Sequence, residues 1–161
     1  MKITIIAIGK LKERFFSEAA AEYAKRLGKY AEVSVVELAD EKEASAPSVA
    51  EIAITKSKEG ERVKQRLAQF AHNAFVIALS VEGKQETSES FARLLSEQTD
   101  LSKRLVFVIG GSHGLSGEVL SLCHARLSFS KMTFPHQLFR VVLLEQIYRA
   151  CKINRNEPYH K

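Results

Sequence analysis

RLVFVIGGSHG, residues Arg104–Gly114, is the stretch on which the reading of the fold turns. Arg104–Ile109 reads as a strand, and it runs without a break into Gly110-Gly111-Ser112-His113-Gly114. A strand that ends in glycines places backbone amides at the carboxyl edge of a sheet, where α/β folds bind their ligands. Glycines there also let the main chain approach a ligand closely or adopt positive φ. Upstream, Met1–Gly9 (MKITIIAIG) is a β-branched apolar run closed by glycine, which fits a buried first strand. Leu11–Tyr30 follows with Phe15, Ala19, Tyr23 and Leu27 on one helical line and Gly28 near its end as a stop. Val33–Leu38 is a second strand and Asp40–Ser45 a polar loop. Pro47 opens a long helix to about Phe70, with Ser48 and Glu51 spaced as a capping box. Ala74–Val81 is a third strand with Glu82–Gly83 as its turn, and Ser88–Glu97 a short helix. Beyond the glycines, Ser116 is placed to cap a helix over Glu118–His124, Ala125–Ser130 is a fifth strand, and His136 to Cys151 a last helix behind Pro135. Strands alternating with helices predict an α/β fold with a largely parallel sheet flanked by helices.

At 161 residues the chain has the length of one domain, 1–161, with room for a proper core. Apolar residues at 45% and charged residues at 27% exclude a wholly disordered chain. Cys123 and Cys151 cannot build a disulfide framework, and no Cys/His cluster has zinc spacing; the expectation is a reducing, cytoplasmic setting with no metal. No apolar run is long enough to span a bilayer, so no membrane association is expected, and the first apolar run continues into charged residues as a strand would, not a signal peptide. The net charge of +5 is unevenly placed. The last 33 residues hold six Lys and Arg against two Asp and Glu, so most of the excess lies in the final fifth. Such a bias suits a polyanionic partner without specifying one.

Three segments offer chemistry, and each also has a plainer reading. The glycine segment fails the dinucleotide fingerprint, because its spacing is wrong and it follows the fourth strand instead of the first. No phosphate-cradling G-x-x-x-x-G-K-[ST] occurs either, which leaves a ligand loop or a structural turn. In Phe129-Ser130-Lys131-Met132-Thr133-Phe134, polar groups at Lys131 and Thr133 stand beside an apolar wall suited to an aromatic ring; the alternative is a hydrophobic connection between strand and helix. The tail KINRNEPYHK ends in Tyr159-His160-Lys161, a stacking ring, a group that titrates near neutrality and a cation, on a terminus that frays unless tied down. His72 and His124 read as helix-end or surface residues, and both cysteines as small apolar groups on helix faces. The last helix carries one apolar line at Leu138, Val141, Val142 and Tyr148, and another at Phe139, Leu143 and Ile147. A helix apolar on more than one side needs more than one partner: either it is the central helix of a monomer, or it meets a second copy in a homodimer.

Taken together, MKITIIAIGKLKE, VFVIGGSHGL, LSFSKMTFPHQLFRVVLLEQIYRA and NEPYHK resemble the SPOUT-type methyltransferases, and within them the ribosomal RNA large subunit methyltransferase H family, over essentially the whole chain. The resemblance implies an S-adenosylmethionine-dependent enzyme that methylates N3 of a pseudouridine in 23S rRNA of the ribosome, in a stem-loop at the subunit interface. It implies a homodimer and a C-terminal trefoil knot, which no periodicity could reveal. Carried over by position, it places the cofactor on Leu79, Gly110, Phe129, Ser130, Lys131, Met132, Thr133 and Phe134. Arg149, Tyr159 and His160 then form the catalytic, RNA-facing side: His160 to accept the N3 proton or anchor RNA, Arg149 to stabilise charge on the uracil carbonyls or grip phosphate, Tyr159 to stack on or orient the base. A non-enzymatic RNA-binding or ribosome-assembly factor is the alternative, distinguished by its lack of cofactor binding. A nucleotide-dependent oxidoreductase is disfavoured by the missing fingerprint.

Overall fold

The computed structural model describes residues 1–42, 44–70 and 72–161. Its strands are β1 (Lys2–Ile8), β2 (Glu32–Leu38), β3 (Ala74–Gln85), β4 (Arg104–Ile109) and β5 (Ala125–Ser128). Its helices are α1 (Arg14–Leu27), α2 (Val49–Leu67, extended by a 3-10 turn at Ala68–Phe70), α3 (Ser88–Asp100), α4 (Gly117–Ser121) and α5 (His136–Asn154). The strands pair in the order β2-β1-β4-β3-β5, every pair parallel. The α/β class with a parallel sheet is therefore as the sequence predicts.

The apolar runs of β1 and β4 lie in the middle of the sheet, which is why they show no polar alternation. Their successive residues feed two separate cores. Ile3, Ile5, Ala7, Leu105, Phe107 and Ile109 join one face with Leu95 of α3 and Leu143, Leu144 and Ile147 of α5. Ile6, Ile8, Val106 and Val108 join the other with Val63 and Leu67 of α2 and Val119 of α4. The result is three layers, with α5 packed between α1 and α3 on the first face.

Local signals set the helix ends. Ser48 Oγ accepts the Glu51 N–H at 3.3 Å while the Glu51 carboxylate accepts the Ser48 N–H at 2.7 Å, the reciprocal box expected from the sequence. Ser116 caps α4 by accepting from the Val119 N–H at 3.3 Å. The Gly28 N–H closes α1 on the Ala24 carbonyl at 3.1 Å. Of the line expected in α1, Leu27 is fully buried and Tyr23 packs on the core, whereas Phe15 faces solvent and the buried alanine is Ala20, not Ala19. The loop expected over Asp40–Ser45 includes Glu43, which lies outside the described residues.

Two corrections concern the carboxyl edge and the tail. Glu82–Gly83 is not the end of the third strand: β3 continues to Gln85, and Leu127 of β5 is opposite both Leu79 and Lys84. Residues 80–83 thus leave the ladder and return to it. Gly83 is where the two strands crowd, since a side-chain carbon there would stand 2.6 Å from the Leu127 carbonyl carbon. The tail, expected to fray unless tied down, is tied down. Asn156 adopts φ +52°, the Glu157 N–H donates to the Lys152 carbonyl at 2.9 Å, and the Glu157 carboxylate receives Tyr30 Oη–H and Lys152 Nζ, each at 2.6 Å.

Candidate active site

A cavity of about 580 Å³ opens at the carboxyl edge of the sheet. Three chain segments form most of its wall: Leu79–Glu82 within β3, the glycine turn after β4, and the connection from β5 to α5. The glycine turn has a defined shape. Gly114, at φ +74°, donates its N–H to the Gly111 carbonyl at 3.0 Å, and Gly110 abuts the Gly114 backbone so closely that a side chain would come within 2.7 Å. The other wall is shaped by two serines. Ser128 Oγ–H donates to the Ser130 carbonyl, and Ser130 Oγ accepts the Met132 N–H, both at 2.9 Å. Phe129 and Phe134 each pack their rings against Phe139 of α5, at 5.2 and 6.1 Å between centroids.

Of the eight residues expected at the cofactor, Leu79, Phe129, Ser130, Met132, Thr133 and Phe134 line this cavity. Gly110 lies just behind the lining and builds the turn, while Lys131 is exposed and outside it. Sequence reasoning left out Ser112 and His113 of the turn, Lys56 of α2, Glu82 and His136, all of which reach the cavity. The position of Ser112 and His113 inside the glycine segment was the available signal; Lys56 carried none, because it comes from a different layer. His136 is held toward the neutral form by burial and by the Arg140 guanidinium beside it. The lining joins an apolar wall of Leu79, Phe129, Phe134 and Phe139 to backbone polar groups and the polar side chains just named, which suits an aromatic base and a sulfonium. Among the described residues no group of three His, Cys, Asp or Glu gathers around a common point. A second cleft of about 540 Å³ lies at the amino end of β1 and β4, by Lys2, Phe70, Lys103 and Arg104, at the opposite edge from the glycine turn.

Arg149, Tyr159 and His160 are brought together as expected, but outside the lining of the cavity. Arg149 stands 4.8 Å over the Tyr159 ring and 3.4 Å from His160 Nδ1. One carboxylate organises the group: Glu145 Oε1 accepts from Arg149 Nη2 at 2.6 Å and from Tyr159 Oη–H at 2.9 Å. The Tyr159 hydroxyl is pushed well above the usual tyrosine range, first by burial and then by hydrogen bonds with Tyr23 and Glu145. It stays a donor. Tyr148 meets the Tyr159 ring edge-on at 4.9 Å, so part of the surface expected to stack on a base is already taken within the chain. His160 Nε2 lies 2.8 Å from Glu89 Oε1 at the start of α3.

The parallel sheet with a glycine turn at its carboxyl edge, and a cavity walled by the next strand-to-helix connection, defines an α/β protein with its ligand site at the edge where such folds bind ligands. The family described as "Predicted SPOUT methyltransferase" matches residues 1–160, and the chain belongs to it. Within that class, it is 55% identical to the Ribosomal RNA large subunit methyltransferase H of Bacillus cytotoxicus and 52% identical to that of an Exiguobacterium species, each over 100% of both chains. Its place is in the ribosomal RNA large subunit methyltransferase H family. Solved structures share the fold at low identity. A methylase-family protein from Haemophilus influenzae superposes with a TM-score of 0.57 at 15% identity, over 99% of this chain and 70% of that one. A methyltransferase from Legionella pneumophila, solved with bound S-adenosylmethionine, gives 0.51 at 13% identity over 93% and 66%.

Proposed function

We propose that this chain transfers a methyl group from S-adenosylmethionine to ribosomal RNA, and specifically to N3 of a pseudouridine in a subunit-interface stem-loop of 23S rRNA. The observation that carries the reading is the cavity at the carboxyl edge, shaped by the glycine turn and residues 128–134, in a chain alike to methyltransferase H relatives over its full length. When bound, the cofactor supplies an electrophilic methyl group on a positively charged sulfur. The glycine turn offers backbone polar atoms at one wall, and Leu79, Phe129 and Phe134 offer an apolar wall that keeps water from the reacting centre.

The acceptor nitrogen carries a proton that has to leave as the new N–C bond forms, so a base at its side lowers the barrier. His160 is our assignment for that base. Arg149 stabilises the negative charge that grows on the uracil carbonyls, and Tyr159 orients the base beside it. Because these three lie outside the lining of their own chain's cavity, we infer that the working unit is a homodimer in which the tail of one copy completes the cavity of the other. The half-buried Leu138 and Val142 of α5, outside both cores, supply apolar surface for that contact. We also infer that the chain is threaded as a trefoil knot, in keeping with its family, and that it acts in the cytoplasm as one domain.

Labelled-methyl transfer to ribosomes lacking the modification, followed by nucleoside mass spectrometry, tests the reading. Methylated pseudouridine is the expected product, and its absence overturns the assignment. His160→Ala is expected to abolish turnover while S-adenosylmethionine still binds by calorimetry; full turnover removes His160 from the mechanism.

A further inference from the structure

His160 is held from both sides. On one, Nε2 is 2.8 Å from Glu89 Oε1; on the other, Nδ1 is 3.4 Å from Arg149 Nη1. An ionised carboxylate can only accept a hydrogen bond, and a guanidinium can only donate one. The two neighbours therefore specify the same tautomer, with the proton on Nε2 and the lone pair on Nδ1. The charged and titratable groups around the ring come from three places: Glu89 on α3, Arg149 and Glu145 on α5, and Tyr159 and Lys161 on the tail.

We propose that Glu89 is the positioning residue of His160, fixing its Nε2–H tautomer so that Nδ1 is the nitrogen presented to the substrate. The inference rests on the role of His160 proposed above. Glu89 is suited to the task because it is itself pinned. It sits in the first turn of α3, where its own backbone N–H, the Thr87 hydroxyl and His160 hold its carboxyl down to about 2, so it remains ionised throughout the working range. A carboxylate that takes the ring N–H of an imidazole and stabilises the imidazolium is the arrangement by which hydrolytic triads orient their histidine.

Proton transfer then balances simply. The N3–H bond breaks and its proton goes to Nδ1; the electron pair left on N3 forms the bond to the methyl carbon as the methyl–sulfur bond breaks, its pair remaining on the sulfur, which leaves as a neutral thioether. The resulting imidazolium keeps Nε2–H on Glu89, but it now bears a proton where Arg149 stood. The guanidinium must leave Nδ1 for the RNA, either for a uracil carbonyl or for a phosphate. Arg149 thus occupies the basic lone pair in the free protein and yields it when substrate arrives.

Nitrogen chemical shifts of labelled histidine in the intact protein read the tautomer directly. For His160 we expect a proton-free Nδ1 and a protonated Nε2; the opposite assignment overturns the proposal with no variant needed. Glu89→Gln keeps an oxygen that can accept Nε2–H but removes the charge that stabilises imidazolium. The acid limb of the single-turnover rate should then move to lower pH, by about one unit, and the plateau fall about tenfold. Cofactor affinity and the KM for ribosomes should stay within about twofold. A merely structural role would weaken binding or folding and leave that limb in place, so an unmoved limb in Glu89→Gln overturns the proposal. An inactive His160→Ala beside an unaltered Glu89→Gln rejects this inference alone, whereas a fully active His160→Ala rejects the assignment it rests on.

Discussion

Gly83 lets β3 and β5 lie closer than side chains allow. A methyl group there meets the main chain of Arg126 and Leu127 at 2.6–2.8 Å, and backbone cannot rotate away. Gly83→Ala should therefore destabilise the protein by about 2–3 kcal/mol in urea unfolding and weaken cofactor binding, because the same segment walls the cavity. Reading Glu82–Gly83 as a turn was reasonable locally, since the dipeptide signals one, but no local signal reveals that a distant strand crosses it. Cys123 and Cys151 behave as the sequence suggests, as small apolar groups. Burial pushes both thiols up to about 11, so a thiol reagent at pH 8 should leave the native protein unmodified and label both residues once it is unfolded. His124 is a more instructive case. It is exposed, as it reads, and it also has a structural part: its Nδ1 accepts the Val76 N–H at 3.0 Å and its ring stacks on Phe75 at 5.2 Å, tying the start of β5 to β3.

Among the elements, α5 is the one whose neighbours decide the site. Its Arg140 is almost completely buried and reaches across the carboxyl edge to pair with Glu37 at the end of β2 and to donate to the Gly9 carbonyl at 2.8 Å. Gln137 adds a second tie by accepting the Lys12 N–H at 2.7 Å. The helix start is thereby fixed to the ends of β1 and β2, next to the cavity. Arg140→Met should cost about 2 kcal/mol in unfolding free energy, since the methionine fills the space but leaves the Gly9 carbonyl and Glu37 without their donor. A smaller loss would mean that water replaces the guanidinium. The apolar lines of α5 were legible because a helix period displays them. Their partners were not: α1, α3 and the sheet satisfy Leu143, Leu144 and Ile147 within the chain, whereas periodicity reports that a face is buried and not by what. The cavity divides in the same way. Its glycine turn and the segment 129–134 are each contiguous in sequence and legible there, while Lys56 comes from another layer and reaches the cavity only through folding.

For the whole molecule, the carboxylates set the acid limit. Glu22, Glu41, Glu51, Glu61, Glu86, Glu89 and Glu157 all titrate below the ordinary 4.5, each chiefly through a hydrogen bond to its carboxylate. A lowered folded value means that the stabilisation is complete above the unfolded value and is lost as pH falls through the folded ones. The urea midpoint should accordingly drop steadily below pH 4.5, with Glu89, at about 2, the last to yield, while His136, kept neutral in the fold, adds a loss that begins as pH falls below about 6.5. A midpoint that stayed level down to pH 3 would contradict the pairing seen here. The order of the chain adds a consequence of another kind. In chain order α5 follows β1–β5 and α1–α4, so until it is made the face of the sheet that carries Phe107 has only α1 and α3 to cover it. A nascent chain can assemble the α2 side before α5 is made, but the other side has to wait for that helix. A chain cut short before α5 would thus expose one partly covered face of the sheet, a substrate for chaperones and proteases.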